Sequence, residues 1–241
     1  MNFKEFIMKE KVKLKFEIRK YPESVYTTPI TKYQNFNVIP RHFIYITFTL
    51  FIGYTILQIL SITLFNGVEW TRIIILLGWI IPGIVGINVL LSSVFNKEML
   101  FLRFRHLSKE GGIVLSLTFL VLIPMIMTSQ WRGWDWYYTF IEAPISGITQ
   151  ELFFRAVLLP VCLKIFQEKI KLGIIFHSVL FSLWHIGVFW TAPIGAAIFV
   201  CLVPFVAGLA WGWEAQRDKT IIWTILVHTL ILVISSFFIW E

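Results

Sequence analysis

Long stretches without any charged residue constrain this chain more than any other feature of its sequence. Residues 43–65 and 73–95 each contain no Asp, Glu, Lys or Arg, and about 20 apolar residues suffice for a helix to cross a bilayer. Charged residues make up 15% of the chain and hydrophobic residues 57%, whereas soluble domains have about 25% and roughly 45–50%. The sequence therefore predicts an integral membrane protein.

The order of the apolar segments predicts an all-α integral membrane fold, with about seven transmembrane helices in one bundle and a polar N-terminal arm. The further segments are 113–129, 144–166, the two parts of 172–213, which divide at a turn over 190–193, and 220–240. Of the seven segments, only 144–166 contains Asp, Glu, Lys or Arg. We expect a basic arm over 1–42, three leading transmembrane helices over 43–129 and a core of four transmembrane helices over 144–240.

The net charge of +7 is better explained by membrane topology than by nucleic-acid binding. With seven spans and a cytosolic N-terminus, 18 Lys and Arg residues lie on the cytosolic side and only Arg72 and Arg132 lie outside. This bias matches the positive-inside rule. We therefore predict a plasma-membrane protein with a cytosolic N-terminus and no nucleic-acid partner. Its arm is either solvated or bound to the anionic surface of the lipid bilayer.

The fourth predicted helix carries an ion pair. Glu151 and Arg155 are four residues apart, so they lie on one face of the helix and can pair. Ionisable groups inside a bilayer are costly, usually face the interior of the bundle and mark a functional site. The alternative is an ion pair that only fixes the packing of the helices.

Two histidines on later helices are candidates for the same interior. His185 lies deep in the fifth helix, and His228 lies near the middle of the seventh, where it is the only ionisable residue. A histidine at this depth requires a polar partner, which the fourth and fifth helices provide. His177 lies nearer the predicted cytosolic end, and we expect it to be an ordinary polar or interfacial residue.

A carboxylate and two imidazoles in a dry cavity allow two kinds of chemistry. Glu151, His185 and His228 together could bind a divalent metal such as zinc. Alternatively, they could hold and deprotonate a water molecule while another group stabilises an oxyanion. Either arrangement suits the hydrolysis of a peptide bond.

Three short motifs resemble those of the CAAX protease and bacteriocin-processing (CPBP or Abi) family of intramembrane endopeptidases, which includes the type II CAAX prenyl endopeptidases. Residues 150–155 read QELFFR and are similar to the family motif of two glutamates, three residues and an arginine. Residues 181–185, FSLWH, match Phe, three residues and His, and residues 228–232, HTLIL, resemble His, three residues and Asn. The resemblance covers roughly 144–240 and implies a membrane-associated peptide or a prenylated protein as substrate.

Two positions depart from the family motifs. Gln150 replaces the glutamate to which the resemblance assigns the activation of water, and an amide cannot act as a general base. Leu232 replaces the asparagine thought to bind the oxyanion, and Ser235 is a candidate substitute. The pair of Glu151 and Arg155 is retained.

The sequence leaves two functions open. In the first, an endopeptidase, Glu151 and His185 activate water directly or through a metal, His228 stabilises the oxyanion and Arg155 holds Glu151. In the second, which the change at Gln150 favours, the chain is a catalytically weakened or inactive family member that acts as a membrane binding protein or in bacteriocin immunity. A transporter is disfavoured, because the sequence shows neither related halves nor discontinuous helices.

Overall fold

The structure is a computed structural model that describes residues 40–63, 69–92, 95–128, 130–131, 133, 135–167 and 169–239. These residues belong to one compact unit, Val38–Glu241. The predicted polar arm, 1–42, lies almost entirely outside the described residues.

Seven helical segments follow one another in the described part of the chain. Three of them change helix type along their length, through 3₁₀ or π turns. In order, the elements are α1 (Arg41–Thr63), α2 (Glu69–Leu91), α3 (Lys109–Thr118) with a 3₁₀ turn (Phe119–Val121) and α4 (Leu122–Thr128), a π turn (Tyr138–Glu142) with α5 (Ala143–Phe153), a second π turn (Phe154–Leu158) and α6 (Leu159–Ile165), α7 (Ile170–Trp184) with a 3₁₀ turn (His185–Trp190), α8 (Ile194–Asp218) and α9 (Ile222–Ser235). Two short strands, β1 (Gln130–Trp131) and β2 (Phe238–Ile239), pair antiparallel.

Three helices of the described chain are long and apolar enough to cross a membrane: Arg41–Ser61, Ile170–Trp190 and Ile194–Asp218. Gly78–Leu91 and Ile222–Ser235 are shorter apolar helices. The elements above form seven helical segments, so the predicted number of helices is confirmed for the described residues. Their arrangement as seven membrane crossings stays a prediction.

Two helix ends differ from those that the hydropathy pattern predicts. The helix α8 continues through Glu214 to Asp218, and both of these side chains are buried. The helix therefore extends five residues beyond the predicted apolar segment, which ends at residue 213, and includes two buried acidic residues. The helix α9 ends at Ser235, and the chain then turns into β2, which pairs with β1.

The core is centred on the segment from α5 to α6, against which α1, α2, α7 and α9 pack. The ring of Phe154 lies between those of Phe51, Tyr54, Phe181 and Trp184, with centroid distances of 4.6–6.5 Å. Packing of this kind stabilises membrane helices, because lipid tails are as apolar as the side chains and supply little hydrophobic driving force.

The helices α7 and α8 approach closely because α8 carries glycines at the contact. A Cβ atom at Gly208 would lie 3.0 Å from Ser178, and one at Gly212 would lie 3.4 Å from Ile174 and from Nδ1 of His177. This close approach brings the polar residues of α7 into the interior of the protein.

Candidate active site

The predicted ion pair forms where α5 gives way to the second π turn. Glu151 and Arg155 are completely buried, and Nη1 of Arg155 lies 3.1 Å from Oε1 of Glu151. The guanidinium carbon lies 4.2 Å from the centre of the Phe181 ring and 5.2 Å from that of Trp211. Arg155 is thus held between two aromatic rings, with Glu151 as its counter-charge.

Glu151 also binds His228, which comes from α9. Nδ1 of His228 lies 2.8 Å from Oε1 of Glu151, and both side chains are buried. A carboxylate paired with arginine only accepts hydrogen bonds, so Nδ1 carries the proton. Nε2 is then the ring nitrogen that is left for other partners.

The second imidazole is fixed by the backbone of its own helix. His185 begins the 3₁₀ turn that follows α7, and its Nδ1 lies 3.0 Å from the carbonyl oxygen of Phe181. Because a carbonyl can only accept, this nitrogen donates and Nε2 is again left for other partners. The Phe181 ring lies beside both imidazoles, with centroid distances of 5.3 Å to His185 and 6.4 Å to His228.

His185 and His228 line one cavity, with a volume of about 610 Å³. Its walls come from the α3–α4 segment and from α7, α8 and α9, and they are mostly apolar. Glu151 and Arg155 are not lining residues but lie behind His228. The predicted cluster is therefore brought together in two layers, with the imidazoles at the cavity and the ion pair beneath.

The two positions that depart from the family motifs have different environments. Gln150 is buried, donates from Nε2 to Oγ of Ser146 at 2.8 Å and does not line the cavity. Leu232 and Ser235 do line it, one and two turns after His228. The hydroxyl of Ser235 donates to the carbonyl oxygen of Leu232 at 2.8 Å, so its proton is bound within α9.

The predicted zinc site requires three ligands that meet at one point. In the part of the chain that the structure describes, no three His, Cys, Asp or Glu side chains are placed to hold a metal ion. Oε1 of Glu151 is shared by Arg155 and His228, and Nδ1 of His185 is turned to a backbone carbonyl. The zinc ligand set stays a prediction, and the chemistry below contains no metal step.

Two buried ionisable residues were not predicted as part of this interior. His177 is completely buried rather than interfacial, because Gly212 allows α8 to cover it. Glu214 is completely buried, and neither of its carboxylate oxygens has a hydrogen-bond partner among the described residues. Trp211, Glu214 and Asp218 follow one another at spacings of three and four residues, so they lie on one face of the helix. This spacing is the sequence feature that indicates the burial of Glu214.

The fold and the buried cluster define a class of protein: a helical membrane protein in which a carboxylate and imidazoles meet beside an apolar cavity. Residues 131–234 match a family model described as Rce1-like, Type II CAAX prenyl endopeptidase Rce1-like. All three motifs lie within this match, so the predicted resemblance to the CAAX protease family is confirmed for residues 131–234. No curated protein and no solved structure matches the chain.

Proposed function

We propose that the chain is an intramembrane endopeptidase, which hydrolyses a peptide bond of a membrane-associated protein or peptide in the cavity lined by His185 and His228. One observation carries the proposal: Glu151, paired with Arg155, binds Nδ1 of His228 at 2.8 Å, and His228 lines the cavity. The match of residues 131–234 to a protease family supports the same reaction.

In this proposal His228 is the general base. Its Nε2 takes a proton from a water molecule as the water oxygen bonds to the carbonyl carbon of the substrate. Glu151 stays ionised, orients the ring and stabilises the imidazolium that forms, as the carboxylate does in a catalytic triad. A base of this kind contributes about 10²–10⁴-fold to the rate.

The proton then returns to the substrate. Nε2 of His228 donates it to the nitrogen of the scissile bond as the carbon–nitrogen bond breaks, which gives an amine and a carboxylic acid. Nε2 of His185 accepts a hydrogen bond from the attacking water and so orients it. The sequence suggests that Glu151 and His185 activate water and that His228 stabilises the oxyanion. In this proposal His228 is the base and Glu151 orients it, because Glu151 is completely buried and does not line the cavity.

The cavity provides few hydrogen-bond donors for the oxyanion that forms during the attack. Leu232 lines the cavity but has no donor, and the Ser235 hydroxyl already donates to a carbonyl in its own helix. The absence of one oxyanion donor typically costs about 10²–10³-fold in kcat. We therefore infer a slow endopeptidase.

We also infer that the seven helical segments cross the plasma membrane and that the N-terminus is cytosolic. The support is the distribution of Lys and Arg, with 18 on the cytosolic side and two outside. In addition, Ile52 and Ile56 on α1 and Ile194 and Ile198 on α8 are each more than half exposed and lie outside the cavity. Apolar surfaces of this extent suit lipid.

The test is cleavage by the purified protein in proteoliposomes. A set of apolar peptides with a quenched fluorophore is incubated with the protein, and mass spectrometry locates the cleaved bond. We expect His228→Ala and His185→Ala each to reduce the rate by at least about 10²-fold. His106→Ala changes an exposed histidine outside the cavity and should retain the wild-type rate. Cleavage that is absent, or that is equal in all four proteins, would refute the proposal.

The second candidate function is a binding protein without catalysis, for example in bacteriocin immunity. The observations that favour it are Gln150, whose amide is bound to Ser146, and Leu232 in place of an oxyanion donor. It predicts that apolar peptides bind equally well to the wild type and to His228→Ala and that neither protein cleaves them.

A further inference from the structure

The helices α5 and α9 lie very close together at Gly147. A Cβ atom at this position would lie 2.6 Å from Oγ1 of Thr229, 3.1 Å from its Cα and 3.2 Å from its backbone nitrogen. Carbon atoms pack best at about 3.5–4.0 Å, so a residue larger than glycine requires a movement here. Two of the three atoms belong to the backbone, and rotation of the Thr229 side chain cannot remove those contacts.

This contact lies beside the two residues that bond across the helices. Gly147 precedes Glu151 by four residues, so both lie on one face of α5. Thr229 directly follows His228 in α9. Since Nδ1 of His228 lies 2.8 Å from Oε1 of Glu151, the spacing of the helices at Gly147 directly affects the length of this hydrogen bond.

The contact between Gly147 and Thr229 is steric rather than polar. Oγ1 of Thr229 is buried and has no hydrogen-bond partner among the described residues. Two turns away along both helices, the hydroxyls of Thr139 and Ser236 lie 3.2 Å apart, and hydroxyls rotate to suit their partners. Glycine weakens a helix relative to alanine, so the close approach of α9 is the physical reason for Gly147.

An alanine at position 147 has a defined geometric consequence. Cα of Thr229 would have to move by at least about 0.4 Å to reach ordinary contact. The same displacement of His228 would lengthen its bond to Glu151 to about 3.2 Å, the upper end of the usual range for N–H···O bonds. Glu151 would then hold the imidazole less firmly.

We propose that Gly147 and Thr229 are positioning residues, whose close contact fixes the spacing of α5 and α9 and so holds Nδ1 of His228 on Glu151. The inference rests on the proposed function, in which His228 is the general base. It assigns a role to a glycine that lies outside all three motifs.

The test is nitrogen NMR of isotope-labelled histidine in the purified full-length Gly147→Ala variant, in detergent at about pH 8. The Nδ1 proton of His228 has a downfield chemical shift while it is bonded to a carboxylate. We expect an upfield shift and faster exchange with solvent in the variant. In peptide cleavage kcat should fall about tenfold with little change in KM, since a displacement of about 1 Å can cost about 10²-fold.

Two other glycines provide matched controls. A Cβ atom at Gly53 on α1 would have no neighbouring atom within 4 Å, its own helix apart, so Gly53→Ala should keep both the NMR signals and the rate. Gly173 on α7 makes a similar close contact, because a Cβ atom there would lie 3.0 Å from Cα of Leu163. Gly173→Ala should lower the melting temperature and leave the His228 signals unchanged, which separates positioning from general packing.

A double variant tests the contact itself. Gly147→Ala/Thr229→Ala removes Oγ1, the nearest atom, and should recover part of the wild-type chemical shift. It is measured in place of Gly147→Ala if the single variant lacks the helix content of the wild type by circular dichroism. Failure of both variants to fold would overturn the inference, because the contact would then serve folding rather than positioning.

Three further results would overturn the inference. They are unchanged His228 signals in Gly147→Ala, a wild-type kcat in that variant, and an equal change of the His228 signals in Gly173→Ala. The NMR signals do not depend on turnover. A lack of cleavage by every protein, together with the expected change of the His228 signals, would therefore refute the endopeptidase and leave the positioning of His228 by Gly147 supported.

Discussion

Replacing Glu151 by Gln should strongly destabilise the protein. The amide keeps the size of the side chain but removes the counter-charge of Arg155, which is completely buried at 3.1 Å. The lost attraction is about 5 kcal/mol at this distance with an effective dielectric constant of about 20. Breaking one side of a buried ion pair typically costs about 3–5 kcal/mol, and the two figures agree.

A double-mutant cycle separates this charge effect from packing. In Glu151→Gln/Arg155→Met the buried cation is also removed, so the double variant should be more stable than Glu151→Gln alone. An exposed pair is the control: Arg105 lies 2.6 Å from Glu98, and both side chains are more than 40% exposed. Glu98→Gln should cost no more than about 1 kcal/mol, because solvent screens such pairs.

The assay is reversible unfolding in mixed micelles by titration with SDS, followed by far-UV circular dichroism. It gives the free energy of unfolding of the wild type, both single variants and the double variant. The reasoning is refuted if Glu151→Gln costs less than about 1 kcal/mol, or if the double variant is as unstable as the sum of the two single ones.

Four further predictions concern single side chains. Leu232→Asn adds a donor to the cavity wall and should raise kcat by about 10²-fold with little change in KM; an unchanged kcat in steady-state peptide cleavage would contradict this. Gln150→Glu should lower the melting temperature in detergent and not increase cleavage, because it buries a second carboxylate without a further cation; a gain of activity would contradict it. Glu214→Gln should raise the melting temperature, since its carboxylate is completely buried without a described hydrogen-bond partner; a decrease would show that the charge is stabilising. The backbone N–H of Glu110 and then the Arg217 guanidinium lower the pKa of Glu110 below its usual 4.5. The stability gained from this carboxylate should therefore be present above pH 4.5 and be lost as the pH falls through the lowered pKa. The wild type and Glu110→Gln should then have the same melting temperature at a pH below the lowered pKa, and a difference that persists there would refute this.

The sequence was sufficient to predict the helices and one contact of the site. Long uncharged segments predict helices because a helix satisfies all its backbone hydrogen bonds internally, as a membrane requires. The seven helical segments of the structure follow in the order of these segments. The spacing of Glu151 and Arg155 predicts their contact because four residues make about one helical turn. Both inferences depend only on residues that are close in the chain.

The contacts between distant helices required the structure. His228 lies 77 residues after Glu151, and periodicity alone does not give the depth or rotation of one helix relative to another. The burial of His177 depends on Gly212 of a different helix. Glu214 was missed because hydropathy ends an apolar segment at the first charge, whereas the helix continues and buries it.

The orientation of the His228 ring is the central claim of this account, and nitrogen NMR of isotope-labelled histidine tests it most directly. The purified protein is measured at about pH 8, and the His228 signals are assigned by their loss in His228→Gln. We predict a proton on Nδ1, bonded to Glu151, and an unprotonated Nε2 available to the cavity. A ring with its proton on Nε2 and a bare Nδ1 would contradict the account, because Nδ1 could then not donate to the carboxylate.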